Sequence, residues 1–289
     1  MRKHAYLIIA HNQFELLEKL IESLTYEYND FYILIDKKNL LNFSETLKKK
    51  FEERNVNLIL DNSVFWGTYS QIEAELTLFK KAFYSDVNYS YYHVLSGIDF
   101  PLKQAKRIHQ DIEKNYPTEY IAFAERSNLS NSSLERIKFY SAPQFVIKMF
   151  GRRPYSFLTK KLLFPIQRLL KINRLKEINF SLGKGSNWVS VTDKLVKELL
   201  SQKFSKFIDL LLTNSFCGDE LLVQTVALNS ENIINEVSNI NLRYIDWKRG
   251  NPYVFVNTDL EELIRISNQY YFCRKVNWSN SQEIIRYFN

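Results

Sequence analysis

Over its first 125 residues the chain alternates short apolar runs with stretches of helical periodicity, and few folds accommodate that rhythm. AYLIIA (5–10), FYILID (31–36), VNLIL (56–60), YYHVL (91–95) and EYIAF (119–123) are brief and almost uniformly apolar, as strands buried on both faces are. Between the first two, Phe14, Leu17, Leu20, Ile21 and Leu24 recur at helical spacing. Ser44 is placed to cap a second helix with Lys48 to Arg54 on its polar face, and further helices are expected from Ser70 to Tyr84 and from Gln104 to Asn115. Strands alternating with helices predict an α/β fold, a mostly parallel Rossmann-like sheet with helices on both faces.

The rhythm stops in the middle of the chain. From about Ser127 to Ser181 the sequence is basic and aromatic, with breaks at Pro143, Pro154 and Pro165, and it reads as a helical insertion over one edge of the sheet. Between Leu134 and Lys184 twelve Lys and Arg residues stand against Glu135 and Glu177 alone, so this segment wants an anionic partner. Order returns after Gly183 with NWVSV (187–191), helices from Thr192 and Lys203, a break at Gly218, LRYID (242–246), a helix from Thr258 and YYFCRKV (270–276). The expected division is 1–125, an insertion at 126–182, and 183–289.

Cys217 and Cys273 are the only cysteines, too few for a disulfide framework or a tetrahedral metal site, and they suit a reducing compartment. His11 and His93 have no third partner at metal spacing. No stretch approaches the roughly 18 uninterrupted apolar residues of a membrane span, so a soluble or peripheral protein is expected.

Open α/β sheets bind ligands beyond the carboxyl ends of their strands, and here those positions are polar. His11 and Asn12 follow the first run, Asp36, Lys37 and Lys38 the second, Trp66 and Gly67 the third, and Ser96, Gly97 and Asp99 the fourth. A nucleotide needs such a set, although Asp36 could cap a turn, Trp66 could be core, and Ser96 to Asp99 could form a tight turn before Pro101. In GDELLVQTVALNS (218–230), Asp219 and Glu220 open a helix, where acids also serve the helix dipole. Arg274 and Lys275 end an aromatic strand, as a phosphate site or as surface charge. No Asp-x-Asp pair occurs, and Glu73-Ala74-Glu75 lies inside a helical run.

In order, the blocks AYLIIAHN, ILIDKKN, WGTYSQIEAELTLFKKA, YYHVLSGIDFPLK, GSNWVSVT, GDELLVQTVALNS, LRYIDWKRGNP and FCRKV resemble glycosyltransferase family 14, which contains core-2 type β-1,6-N-acetylglucosaminyltransferases and peptide O-xylosyltransferases. The resemblance covers both ends of the chain but not residues 126 to 180. It implies a GT-A type fold and an inverting enzyme that needs no metal or other cofactor. Residues 1–125 would form the nucleotide-sugar-binding half and residues 183–289 the acceptor and catalytic half.

By the same resemblance Glu220 is the catalytic base. Asp36 would contact uracil, with His11, Asn12, Trp66 and Gly67 beside the UDP-sugar, Arg274 and Lys275 on the diphosphate and Arg249 as a second phosphate contact. Asp99, Asn187, Trp188 and Asp219 would shape the sugar and acceptor site. UDP-GlcNAc is the expected donor, with UDP-xylose, UDP-galactose and UDP-glucose as alternatives, and the acceptor a glycan, glycoprotein or lipid-linked hydroxyl. The anchor, stem and disulfides of animal members find no counterpart, which implies a bacterial-type cytoplasmic enzyme.

The basic, aromatic middle suggests peripheral contact with anionic lipid at the inner face of a membrane, or else a solvated insertion with its own small core. Two other classes stand beside this reading: a nucleic-acid binder (pI about 9.1), which leaves the ordered blocks unexplained, and a non-catalytic nucleotide-sugar module, which would bind UDP without releasing it in the presence of acceptors. No nucleic-acid partner is expected.

Overall fold

The computed structural model describes residues 1–289. Its strands are β1 (Lys3–Ala10), β2 (Asn29–Ile35), β3 (Asn57–Ile59), β4 (Tyr89–Ser96), β5 (Asp99–Pro101), β6 (Glu119–Tyr120), β7 (Phe123–Arg126), β8 (Gly183–Gly185), β9 (Ser190–Thr192), β10 (Val237–Ser238), β11 (Arg243–Ile245) and β12 (Phe272–Arg274). Seven of them form a central sheet in the order β10-β6-β9-β4-β1-β2-β3. Pairing is parallel except where β9 lies antiparallel between β4 and β6. The mostly parallel α/β sheet expected from the sequence is present.

β1 shows why both faces are covered. Ala5 and Leu7 enter one core while Tyr6, Ile8 and Ala10 enter another, the two-residue alternation of a strand. Helices Tyr69–Phe83 and Asp219–Leu228 bring Ile72, Phe79, Leu222 and Val226 to the first core. Helices Phe14–Leu24 and Ala105–Lys114 bring Leu17, Leu20, Ile108 and Ile112 to the second. Each fully buried aliphatic side chain contributes roughly 1.5–3 kcal/mol, and this packing fixes where the helix starts fall around the sheet.

The later runs divide differently from their sequence limits. EYIAF splits between β6 in the central sheet and β7, which pairs with β8 in a two-stranded ribbon. The GKG of β8 carries no apolar signal. A Cβ on Gly185 would fall 1.9 Å from the Ala122 carbonyl oxygen, so only glycine allows that approach. β11 and β12 join β5 in a separate three-stranded sheet.

The middle segment is helical: Asn131–Lys138, Gln144–Phe150, then consecutive α, π and α stretches spanning Arg152–Leu169. Phe139, Val146, Tyr155 and Phe164 bury themselves with Phe216 and Cys217 in a small third core. Phe145, Phe150 and Phe157 remain exposed. The chain then returns to supply β9 and β10 to the central sheet. No helix is long and apolar enough to cross a membrane.

Candidate active site

β1, β2 and β4 end on the same side of the sheet, and the segments beyond them converge on a cleft of about 1480 Å³. His11, Asn12, Asp36 and Trp66 line it from the first part of the chain. Asn187 and Trp188 enter from the loop before β9, Asp219 and Glu220 from the start of their helix, and Arg274 and Lys275 from the end of β12. Blocks more than 200 residues apart in sequence thus meet in one place.

Three expected residues lie outside the lining. Gly67 turns the chain beneath Trp66 at φ +73°, where an L side chain is strained, and its carbonyl accepts from the Cys217 amide at 3.0 Å. Asp99 is wholly buried and works from below: it accepts from the Ser96 amide at 2.8 Å and from Arg274 Nη1 at 2.7 Å. Arg249 is committed elsewhere. Its guanidinium bridges Asp246 at 2.5 Å, Asp259 at 2.8 Å and Glu262 at 2.7 Å, and three carboxylates leave it no charge to offer a phosphate.

At one end of the cleft the side chains surround Glu220. Its Oε2 accepts from Arg136 Nη1 at 2.5 Å and has Lys184 Nζ at 4.0 Å, while Oε1 accepts no hydrogen bond from the protein. Asp219, next in the same turn, is buried, and burial together with the neighbouring Glu220 charge raises its carboxyl pKa. Glu75 is also buried and shifts the same way, from burial first and Asp219 second. Asn187 Nδ2 donates to Glu75 Oε1 at 2.8 Å, and Gln71 Nε2 to Asp219 Oδ2 at 3.4 Å. Glu75 Oε2 and Asp219 Oδ1 have no protein partner. A carboxyl that keeps its proton offers both a donor and an acceptor, which suits hydroxyl or amide groups of a ligand.

At the other end the lining is cationic. Arg274 is held by Asp99 and Ser96, and its guanidinium stacks 4.1 Å from the Trp188 ring centroid. Lys275 has no carboxylate partner, and burial, then Arg274, lowers its pKa. Arg152 reaches in from the insertion and lies 3.4 Å from the centroid of Trp66, which in turn packs edge-on against Phe216. Asp36 caps the turn after β2, accepting from the amides of Lys38 at 3.1 Å and Val64 at 3.3 Å. It is both a turn cap and a cleft residue.

In the floor of the cleft, which it helps to line, the buried Arg243 donates to Ser190 Oγ at 2.7 Å and to the carbonyls of Val94 and Val189 at 3.0 and 2.8 Å. Burial pulls its pKa down to about 10. It ties β4 to β9 under the site.

The sequence singled out neither Arg136, Arg152 and Lys184 within the basic middle nor Gln71 and Glu75. For the last two a signal existed: four residues apart, they share one helix face. For the cations none did, because Glu220 and Trp66 are remote in sequence.

These features define an α/β protein with a polar cleft at the carboxyl ends of its parallel strands, in which a carboxyl cluster braced by Arg136 and Lys184 shares the lining with Arg152, Arg274 and Lys275. The family model described as Branch, core-2/I-branching enzyme, matches residues 4–263, and the chain belongs to that family, a family of glycosyltransferases. The matched span includes the basic middle, which the sequence resemblance left out, and stops before Arg274 and Lys275.

Among curated proteins the chain is similar to the human beta-1,3-galactosyl-O-glycosyl-glycoprotein beta-1,6-N-acetylglucosaminyltransferase, 24% identical over 106 residues, a match covering 34% of this chain and 24% of that protein. The match thus spans about a quarter of that relative's length. Among solved structures it is similar to mouse xyloside xylosyltransferase 1 in its apo form, with 8% identity, coverage of 94% of this chain and 97% of that one, and a TM-score of 0.40.

Proposed function

We propose that the protein transfers a sugar, GlcNAc as the first choice, from a UDP donor to a hydroxyl of a glycan or glycoconjugate, with inversion and without a metal ion. The observation that carries this reading is the placement of Glu220 and the Arg274–Lys275 pair in one cleft. Glu220 Oε1 takes the proton of the acceptor hydroxyl as that oxygen forms its bond to the sugar C1. The bond from C1 to the diphosphate oxygen breaks on the opposite face, and its electron pair leaves with UDP. One carboxylate base and one displacement give inversion.

Charge developing on the leaving diphosphate is met by Arg274, already oriented by Asp99, and by Lys275, which no carboxylate neutralises. Charge-assisted hydrogen bonds of this kind are worth about 1.5–3 kcal/mol each, the electrostatic role a divalent ion fills elsewhere. The turn fixed by Asp36, with His11 and Asn12, supplies the uridine end. Glu75, Asp219 and Asn187 supply hydroxyl and amide recognition at the sugar, which favours GlcNAc over UDP-xylose, UDP-galactose or UDP-glucose as donor.

The test is a panel of UDP-sugars scored for UDP release with a range of glycan acceptors, with and without EDTA. Release from UDP-GlcNAc that survives chelation is expected. Activity abolished by EDTA and restored by a divalent ion would remove the metal-free assignment, and UDP binding without release from any donor would make the chain a binding module.

A further inference from the structure

Nine of the sixteen large apolar side chains exposed on this protein lie between Tyr140 and Leu170, a concentration that marks an interaction face rather than scattered surface. Phe145, Phe150 and Phe157 are 56%, 61% and 61% exposed and Leu169 83%. Spacing gathers them: Phe145 and Met149 are four residues apart on one short helix, and Leu162, Ile166 and Leu170 follow at four-residue intervals near the end of the next. Other aromatics of the segment are consumed by the small core around Phe139, Tyr155 and Phe164, so the exposed set is surplus to folding.

The same segment has cations to spare. Arg136, Arg168, Arg174 and Lys184 are occupied by Glu220, Glu135, backbone carbonyls and Glu125. Lys148, Arg153, Lys160, Lys161, Lys171 and Lys176 are exposed and pair with no acid. Apolar side chains rimmed by unneutralised Lys and Arg are what a surface needs to seat its rings at the headgroup boundary and its charges on lipid phosphates.

We propose that the exposed face of residues 140–176 is a docking surface for an anionic lipid bilayer. A second copy of this chain would set one cationic face on another. A polynucleotide would satisfy the charges and could stack on the rings, but Leu162, Ile166, Leu169 and Leu170 present no π-face to a base. Arg152, at the start of the helical run that carries much of the face, lines the cleft against Trp66, so a docked molecule would hold its cleft near the headgroups, where a lipid-linked acceptor presents its sugar. That last consequence rests on the transferase reading, whereas docking itself is measured without turnover and stands or falls separately.

The experiment is flotation of the full chain with vesicles of phosphatidylcholine alone and of phosphatidylcholine mixed with phosphatidylglycerol, at low and high salt. Binding to the mixed vesicles only, weakened by salt, is expected. Replacing Lys161, Lys171 and Lys176 by Ala should weaken it roughly a hundred-fold, since each cation near an anionic surface is worth about five-fold. Replacing Phe145, Phe150 and Phe157 by Ser should also weaken it, with thermal melting confirming that these exposed changes leave the fold intact. No flotation with anionic vesicles at low salt overturns the proposal, as does binding that the aromatic changes leave untouched. Tighter binding to a polynucleotide than to the mixed vesicles reassigns the face to nucleic acid.

Discussion

Arg136 of the insertion donates to Glu220 Oε2 at 2.5 Å, joining a segment that lacks strand rhythm to the carboxylate proposed as base. The pair leaves Oε1 free toward the cleft and fixes the rotamer that presents it. Arg136→Ala should therefore lower kcat about ten- to a hundred-fold, the worth of one charge-assisted hydrogen bond of about 1.5–3 kcal/mol, while leaving the Kd for UDP within about two-fold. Steady-state rates with UDP binding by calorimetry check this; a matching loss of UDP affinity would place Arg136 in donor binding instead.

Asp99 acts through Arg274, which it holds at 2.7 Å from beneath the cleft. Asp99→Asn should weaken UDP binding but leave uridine binding nearly unchanged, because only the diphosphate meets Arg274. Arg274→Ala and Lys275→Ala should show the same pattern more strongly, each by roughly ten- to a hundred-fold for UDP. Equal losses for UDP and uridine would contradict a diphosphate role.

Burial and Asp219 push the Glu75 carboxyl well above its ordinary value of 4.5. A raised acid holds its proton in the folded chain while the unfolded chain has released it, so its contribution to stability is present below the unfolded pKa and is lost as pH rises through the folded one. Glu75→Gln should accordingly raise the Tm at pH 8, and the gain should shrink as pH falls toward 4.5. Melting across that range tests it, and a pH-independent difference would show that neither burial nor Asp219 raises the Glu75 carboxyl.

At the other end of the sheet, His4, His93 and His109 form a buried cluster, with His93 Nε2 3.1 Å from His4 Nδ1 and the His4 and His109 rings stacked at 3.8 Å. Burial lowers all three, His109 to about 4. Below 6.5 the unfolded chain takes up protons the folded one refuses, so the cluster's own contribution to stability should fall as pH drops from 6.5 toward 4, opposite in sign to that of the raised Glu75, Asp219 and Glu119 carboxyls. Glu113, which contacts His4 at 3.2 Å and is held down to about 2, chiefly by hydrogen bonds from His4, Ser90 and Arg2 that outweigh its burial, adds to the loss only at lower pH. Ring-proton chemical shifts of His4, His93 and His109 followed by NMR from pH 7 to 4 isolate the cluster from those carboxyls. Rings that titrate near 6.5 in the folded chain would contradict the assignment.

The sheet was legible because its central parallel strands β1, β2 and β4 are buried on both faces, and a short apolar run such as AYLIIA between turn and helix signals reads as such a strand. Site residues at strand ends were legible for the same reason: once β1 and β2 are placed, His11, Asn12 and Asp36 must emerge at one edge. β8 was not, since its requirement is steric and Gly183 and Gly185 carry no hydrophobic signal. Arg249 misled because a basic residue in a loop looks the same whether it meets phosphate or three acids, and only folding brings Asp259 and Glu262 beside it. Arg136 and Arg152 were hidden in the basic middle for the converse reason, their partners lying far along the chain.

The central claim is that Glu220 is the base, and Glu220→Gln tests it most directly. Gln keeps the shape but cannot take a proton, so transfer from UDP-GlcNAc, followed by UDP release with acceptor present, should fall by about 10²–10⁴-fold while calorimetry shows UDP bound as before. Turnover within a few-fold of the unaltered protein would contradict the account and remove Glu220 from the chemistry.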